Sequence, residues 1–392
     1  MERDMHRLTR SRFMPIIGLL LASVMLTGAK KPPKGLNSEA KAELEATGVF
    51  KYVDAFDPIL EEDVGEGWTK HTFNPDGGNG PICIAGTPFS AFTKKGNPAK
   101  LLIMLQGGGA CWQDFYRCNI LAESQEPPPE PVGIWGEEFE GEGPNPIDDW
   151  SVVYMPYCDG SVFSGDNDVL DPHFPFGPVR YHRGLRNVTA GIDLAKEMFP
   201  NAGRIMVAGS SAGGAGAAAF APFLARNAYG NNKKLTVFND AGPIAINLSE
   251  QAAIAARAAD WQFGKFYPAS CTECDDQGQA TSLVKWRLDN DSTIREAFYS
   301  TDGDSTNRFF LNVPTQEMYR ELIVTEHGKI HDAHPDRYKR FIRSGDDSHT
   351  ALQTDLFYTG AANGVLLYEW TADFLVPRPF WQDIVEDFVP VP

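Results

Sequence analysis

The stretch MVAGSSAGGAGAAA, residues 206–219, constrains the fold more than any other part of the chain. It begins inside the apolar run RIMVAG and continues almost entirely in Gly, Ala and Ser. A short apolar run bounded by turn residues predicts a buried strand, and residues without bulky side chains allow a sharp turn with a helix packed close behind it. The segment therefore predicts a strand, a tight corner at Ser211, and a helix.

Other short apolar runs predict further buried strands, and longer stretches between them have a helical character. The predicted strands are Lys100–Gln106, Ser151–Tyr157, Arg204–Gly209, Leu235–Asp240 and Lys339–Gly345. The predicted helices include Arg186–Phe199 and Asn247–Phe266. This alternation predicts an α/β fold with a mainly parallel sheet, helices on both faces, and a single domain over residues 30–392. Residues 30–66 are polar and are interpreted as a surface segment that leads into this domain.

The first 29 residues have the pattern of a secretory signal peptide. Four arginines precede an apolar run at residues 13–26, and Thr27-Gly28-Ala29 follows. A membrane-spanning helix needs about 20 apolar residues, so this run is short for one. We expect cleavage after Ala29 and a secreted or periplasmic protein that is no longer membrane-bound; an uncleaved anchor is the alternative.

The charge balance excludes some classes of partner. The formal net charge of the 392 residues is -17, so the surface repels polyanions and nucleic acid binding is not expected. A charged polyuronate would need a local basic patch, for which RYHRGLR, residues 180–186, is the candidate. The alternative interpretation of that patch is a solvated helix start.

Residues 123–150 break the alternation of strands and helices. Prolines, glycines and acidic residues dominate this segment, yet it also contains Trp135, Phe139 and Trp150, which are unusual in a free linker. We expect an ordered loop near the active site; a disordered insertion is the alternative.

The cysteines number six, an even set that in an exported chain predicts three disulfides. Their sequence positions alone allow about 15 connectivities. A zinc site at Cys271 and Cys274 is the competing interpretation, but the chain has no second CxxC or paired His cluster at a suitable spacing. We expect no metal and no organic cofactor.

Ser211 is the candidate nucleophile. Gly209-Ser210-Ser211-Ala212-Gly213 fits G-x-S-x-G between a strand and a small-residue helix, which in an α/β hydrolase exposes a strained serine at the carboxyl edge of the sheet. Ser210 lies outside the centre of the motif. The alternatives are a phosphate-binding glycine turn and a packing corner.

The run LQGGGACW, residues 105–112, is the candidate oxyanion loop. It follows a predicted strand, and its glycines allow backbone N–H groups to point into a site. We expect the N–H groups of Gly108, Gly109 and Ala212 to hold the oxyanion. A glycine-rich surface turn is the alternative.

The base should follow the serine in the chain, which leaves four histidines. His349 lies in the turn after the strand KRFIRSG, where a general base belongs. The other three, His327, His331 and His334, have a helical spacing that could bind a metal. We interpret them instead as a solvated face, because Gly328 and Pro335 interrupt the segment.

The acid is not fixed by the residues alone. An aspartate must orient the histidine and stabilise its charge, and Asp240, Asp302, Asp304, Asp346 and Asp347 are available. Chain order favours Asp302 or Asp304 without separating them.

Several motifs together resemble the pectin acetylesterase and Notum family of secreted carboxylesterases. They are LQGGGACW, PYCDGSVFSGD, GSSAGG, NDAGP, an Asp shortly before a paired aromatic, and a late glycine-to-histidine turn, in order over about residues 80–375. The resemblance implies Asp304 as the acid, with Asp302 next. It also implies disulfides Cys83–Cys158 and Cys111–Cys118, which leaves Cys271–Cys274. Gly109 and Ala110 depart from the bulky residue that is usual in the family's oxyanion loop, and no cysteine follows His349.

These observations predict an exported serine carboxylesterase with Ser211, His349 and Asp304 as its triad. The expected substrate is a small acyl ester, with acetyl groups on a polysaccharide such as pectin first. The alternatives are a serine peptidase on the same fold and a non-catalytic protein that binds glycans near Trp135.

Overall fold

The computed structural model describes residues 35–74, 78–120, 131–136, 145–376 and 380–391. The predicted signal peptide, residues 1–29, lies outside the described residues, as do 123–130 and 137–144 of the predicted loop. Those predictions are therefore not addressed by the structure.

The central strands coincide with short runs of mostly buried apolar residues. The strands are β1 Pro58–Gly65, β2 Trp68–Phe73, β3 Ser90–Lys94, β4 Asn97–Leu105, β5 Gly109–Trp112, β6 Phe115–Cys118, β7 Trp150–Met155, β8 Asn167–Leu170, β9 Val179–His182, β10 Arg204–Ser210, β11 Lys234–Asp240, β12 Arg295–Thr301, β13 Tyr338–Arg343, β14 Ala361–Ala362, β15 Val365–Leu366 and β16 Ile384–Val385. The five predicted strands correspond to β4, β7, β10, β11 and β13.

Helices occupy most of the longer connections. They are α1 Ser38–Thr47, α2 Gly184–Met198, α3 Ala212–Ala218, α4 Ala221–Tyr229, α5 Gln251–Trp261, α6 Thr281–Asn290, α7 Ser305–Leu311, α8 Gln316–Ala333, α9 Leu356–Thr359 and α10 Leu367–Leu375. Two short 3-10 helices cover Gly133–Trp135 and Phe263–Phe266. Within the described ranges, no helix is long and apolar enough to cross a membrane.

One large sheet organises the fold. Its order is β1-β2-β3-β7-β4-β10-β11-β12-β13-β16, and the strands from β7 to β16 are paired in parallel. The other three strands extend one edge in antiparallel pairing. The predicted α/β fold with a mainly parallel sheet is confirmed. The carboxyl ends of β4, β10, β11 and β12 therefore lie side by side.

Both faces of the central strands are buried, which explains why they are apolar without alternation. In β10, Ile205 and Val207 belong to one buried cluster, while Met206 and Ala208 belong to the cluster on the opposite face. The first cluster packs against α2, α4 and α6, and the second packs against α9 and α10. A parallel sheet covered on both faces requires this pattern.

The interpretation of residues 30–66 as a surface segment is wrong in part. Leu44 of α1 and the following Val49 are fully buried in the first cluster, and β1 belongs to the main sheet. β1 is an edge strand with mostly exposed, acidic residues, which hides its strand character from an apolar pattern.

The structure pairs all six cysteines. Cys83 bonds to Cys158 just after β7, Cys111 bonds to Cys118 across the β5–β6 hairpin, and Cys271 bonds to Cys274. The same pairs are the ones that the family resemblance implies. The second bridge has one end, Cys111, inside the candidate oxyanion loop.

The interpretation of His327, His331 and His334 as a solvated face is wrong for the first of them. Gly328 does not interrupt α8, and His327 is fully buried, stacked on Phe298 at a centroid distance of 3.5 Å. Burial lowers the pKa of His327 to about 3. This histidine is a neutral part of the core.

Candidate active site

Ser211 lies at a strained corner between β10 and α3. Its backbone has φ 57° and ψ -122°, a conformation that non-glycine residues adopt at a cost of about 1–3 kcal/mol. The corner places Ser211 immediately before the first helical residue, Ala212, at the carboxyl edge of the sheet. A strained serine in this position is the geometry that exposes a nucleophile.

Gly213 explains why the corner needs small residues. A Cβ added at this position would lie 2.0 Å from the carbonyl oxygen of Leu105, at the end of β4. Real Cβ atoms do not approach so closely, so any larger residue would push α3 away from β4. The second glycine of the G-x-S-x-G motif thus allows the helix to start directly against the neighbouring strand.

A chain of hydrogen bonds joins Ser211, His349 and Asp304. The hydroxyl of Ser211 donates to Nε2 of His349 at 2.7 Å, and Nδ1–H of His349 donates to Oδ2 of Asp304 at 2.7 Å. The carboxylate selects the tautomer in which Nε2 carries no proton and can accept one from the serine. The structure therefore brings these three predicted site residues together.

Asp304 is fixed by the start of α7. It is the N-cap residue of that helix, and its Oδ1 accepts the backbone N–H of Asn307 at 2.8 Å, which leaves Oδ2 for His349. The side chain is fully buried. Burial raises the pKa of Asp304, and the hydrogen bond from His349 opposes that shift.

Asp302, the second candidate acid, forms its hydrogen bonds with residues other than His349. Its Oδ1 accepts Nε2 of Gln316 at 2.7 Å, and its Oδ2 accepts hydrogen bonds from Arg320 and Ser344, both at 2.6 Å. No described contact joins it to His349. Two residues of spacing are enough to place these carboxylates in different environments.

Asp240 has a structural link to the site that the sequence did not reveal. It ends β11 and is fully buried, where its Oδ2 accepts the hydroxyl of Ser210 at 2.6 Å. The same carboxylate accepts the backbone N–H groups of Ala351 and Leu352, both at 3.0 Å. Asp240 thus connects the residue before the candidate nucleophile to the segment after His349. Burial raises its pKa to about 6.

The candidate oxyanion loop lies next to Ser211. Gly109 has φ 78°, and a Cβ there would lie 2.0 Å from the carbonyl oxygen of Arg117, so only glycine fits. Gly108 and Gly109 line the same cleft as Ser211 and His349. Ala212 is the first residue of α3, where a backbone N–H has no partner within the helix.

Two spaces meet at Ser211. The deep cavity, about 110 Å³ in volume, is lined by Ser211, Ala212 and mainly apolar side chains that include Trp112 and Phe310. The open cleft, about 440 Å³, is lined by Ser211, the candidate oxyanion glycines and His349. Of these two spaces, only the open cleft is lined by His349. One side of Ser211 therefore faces a candidate general base, and the other side faces mainly apolar side chains.

The described parts of the 123–150 segment contact the chain just after His349. The backbone N–H of Ile134 donates to the carbonyl oxygen of Leu352 at 2.8 Å, and the indole of Trp135 donates to the side chain of Gln353 at 3.3 Å. Gln353 itself lines the open cleft. Among the described residues, no cluster of three or more His, Cys, Asp or Glu side chains could hold a metal ion.

Comparisons with known proteins agree with the resemblance read from the motifs. Residues 70–250 match the family model described as Pectinacetylesterase. Pectin acetylesterase 11 of Arabidopsis thaliana is 29% identical over 144 residues, which are 34% of this chain and 35% of that protein. The alignment thus spans about a third of this curated relative's length. The resemblance is confirmed for residues 70–250, a range that includes Gly108, Gly109 and Ser211 and ends before Asp304 and His349.

Proposed function

We propose that this protein is a serine carboxylesterase in which Ser211 attacks the carbonyl carbon of an ester. The observation that carries the proposal is the continuous hydrogen-bonded chain from the Ser211 hydroxyl through His349 to the buried Asp304, at 2.7 Å for each bond. The strained corner at Ser211 supports it independently, because such strain persists where the surrounding fold imposes it.

The reaction runs in two halves. Ser211 Oγ bonds to the carbonyl carbon as its proton passes to Nε2 of His349, and the N–H groups of Gly108, Gly109 and Ala212 receive the negative oxygen. The bond from the carbon to the alcohol oxygen then breaks, and His349 returns the proton to the leaving alkoxide. Water, deprotonated by His349, attacks the acyl-enzyme, releases the carboxylic acid and restores the Ser211 hydroxyl.

We assign the two halves of the ester substrate to the two spaces at Ser211. The leaving alcohol must lie within reach of Nε2 of His349, which lines the open cleft, so the alcohol half occupies that cleft. The acyl half occupies the deep cavity, which reaches Ser211 and Ala212 without His349. An open cleft suits a large alcohol such as a sugar chain. The deep cavity, whose wall is mainly apolar apart from Arg257 and Asp276, suits an apolar acyl group.

Acetyl groups on a polysaccharide such as pectin are the proposed substrate. The family match and the name of the plant relative support this choice. The three disulfides, together with the signal-like first 29 residues, support export to a secreted or periplasmic location. The proposed chemistry needs no metal or organic cofactor.

Hydrolysis of p-nitrophenyl acetate, butyrate and octanoate by the protein and by Ser211→Ala tests the proposal. We expect hydrolysis by the unaltered protein and a loss of about 10³-fold or more in kcat for the variant, since its nucleophile is gone. Circular dichroism and melting temperature check that the variant is folded. Full activity in folded Ser211→Ala would refute the role of this serine.

The acyl series tests the choice of acetyl. The highest kcat/KM for the acetate ester would support an acetylesterase. The highest kcat/KM for the octanoate ester would overturn the choice of acetyl as the acyl group but would leave the assignment as a serine esterase intact. Cleavage of amide but not ester substrates would favour a peptidase. Glycan binding without any turnover would favour a non-catalytic protein.

A further inference from the structure

The basic patch predicted from RYHRGLR is not free to bind a substrate. Arg180, Arg183 and Arg186 are all buried. Their ion-pair partners are Asp166, Asp168, Asp171 and Asp260. Each guanidinium is thus neutralised within the protein, and a negatively charged sugar chain would need another cation near Ser211.

An aromatic groove lies beside the candidate active site. This outer groove, about 600 Å³ in volume, is lined by Trp112, Phe115, Phe309 and Phe310 together with several polar residues. Trp112 stacks on Phe115 with ring centroids 4.1 Å apart, and Phe309 is 58% exposed. Phe310 borders the outer groove, the deep cavity and the open cleft, so the three spaces are adjacent.

Arg257 lies where the outer groove meets the deep cavity, since it lines both. It belongs to α5, and its guanidinium lies over the ring of Trp112 at 5.5 Å. Among the residues that the structure describes, no carboxylate forms an ion pair with it and no side chain or carbonyl bonds to it. Burial without a compensating charge lowers the pKa of Arg257 to about 10, so the group remains a cation at neutral pH.

The remaining charges on the groove leave this cation without an opposing partner. Arg308 also lines the outer groove and donates to the carbonyl oxygen of Pro314. Glu250 is the one carboxylate among the lining residues, and it is not paired with Arg257. A partly buried guanidinium without a partner is costly, and a bound carboxylate would relieve that cost with two parallel hydrogen bonds.

We propose that the outer groove binds a uronate residue of the acylated sugar chain, with Arg257 pairing its carboxylate and the aromatic wall packing against the sugar ring. This subsite rests on the proposed function, because the acylated sugar next to it occupies the open cleft. It also explains how a protein with a net charge of -17 could bind a polyanion, because the half-buried Arg257 attracts the carboxylate at short range although the overall field of the protein repels it.

The test compares two substrates that differ only in charge: acetylated trigalacturonate with free carboxylates and the same compound with every carboxylate methyl-esterified. The ratio of kcat/KM for the free acid to that for the methyl ester measures carboxylate recognition. We expect Arg257→Gln to lower this ratio about tenfold or more, mainly through KM, because a charge-assisted pair remote from the ester contributes to binding. Arg257→Lys keeps the charge without the planar fork and should retain part of the ratio.

Lys234→Gln is the matched control. Lys234 is an exposed cation at the start of β11 and lines none of the three spaces, so its removal changes the net charge as Arg257→Gln does without touching the bound sugar chain. Whatever this variant does to absolute rates, we expect the ratio to stay as in the unaltered protein.

An unchanged ratio in folded Arg257→Gln overturns the proposal, as does an equal loss in Lys234→Gln. Calorimetric binding of unacetylated trigalacturonate to Ser211→Ala, with and without Arg257→Gln, separates this subsite from the esterase. Tenfold weaker binding in the double variant supports the subsite even if no ester is hydrolysed. Equal binding overturns the subsite even if Ser211 proves to be the nucleophile.

Discussion

Asp304 and Asp240 are two buried aspartates near the ends of neighbouring strands, and they act on the same histidine segment in different ways. Asp304 accepts the ring N–H of His349, whereas Asp240 accepts the backbone N–H groups of Ala351 and Leu352. Burial raises the pKa of both carboxyl groups. Burial and a raised pKa therefore do not identify the triad acid; the atom that each carboxylate contacts does.

The two aspartates therefore have different roles. Asp304 orients the imidazole ring of His349, and Asp240 orients the loop that follows His349. Asp304 contacts the group that carries the proton and fixes its tautomer. Asp240 holds Ser210 and the residues after His349 in one frame, so it affects the distance between Ser211 and His349 without contacting either side chain. We regard it as a positioning residue of the proposed esterase.

The largest expected effect comes from Asp304→Asn. Asparagine caps a helix about as well as aspartate, so α7 and the fold should be retained. The amide would favour the tautomer of His349 that carries its proton on Nε2, which can no longer accept the Ser211 proton. We expect kcat for p-nitrophenyl acetate to fall about 10³–10⁴-fold. An unchanged kcat would show that Asp304 is not the acid.

Asp240→Asn should have a smaller effect on the reaction. An amide can accept with its oxygen only, so it cannot satisfy the Ser210 hydroxyl and two backbone N–H groups together. We expect kcat to fall about tenfold, with a loss of about 1–3 kcal/mol in the free energy of unfolding. Chemical denaturation and steady-state kinetics measure the two effects. A fall in kcat as large as that of Asp304→Asn would contradict a positioning role.

Asp302→Asn extends the comparison to a carboxylate with no contact to the site. The variant weakens the ion pair with Arg320, at 2.6 Å, and should cost about 2 kcal/mol in the free energy of unfolding. We expect kcat to change by less than about threefold in the folded variant, since neither Ser211 nor His349 loses a contact. A large fall in kcat at an unchanged melting temperature would revive Asp302 as the acid.

The smallest effect concerns pH. The folded pKa of Asp240 is raised to about 6, above the value of about 3.9 in an unfolded chain. The folded state therefore binds the proton more tightly, and its contribution to stability is present below pH 4 and lost as pH rises to 6. We expect the unfolding free energy to fall more steeply in this window for the unaltered protein than for Asp240→Asn, by at most about 1.4 kcal/mol per pH unit. Parallel pH profiles would contradict this assignment.

The strand that leads to Asp304 was not predicted from the sequence. β12, REAFYST, begins with Arg295 and Glu296 and ends in Ser300 and Thr301, so it has no long apolar run. Glu296 is nevertheless buried, because Arg287 of α6 pairs with it at 2.7 Å. A partner on the preceding helix makes that burial possible, and the residues of β12 alone cannot reveal it. Without β12, chain order alone could not separate Asp302 from Asp304.

The sequence alone was sufficient for prediction at positions where the backbone geometry allows only certain residue types. The apolar strands, the small residues around Ser211 and the glycine loop after β4 are imposed by burial on two faces and by close approach of main chains, and all of them are visible as patterns. The sequence by itself therefore determined five strands of the sheet, β4, β7, β10, β11 and β13, together with the corner that presents Ser211 and the candidate oxyanion loop. Only the tertiary structure decided which carboxylate contacts His349, which arginines are neutralised by aspartates, and that Arg257 has no carboxylate partner among the described residues, because these contacts join different elements that meet only when the chain folds.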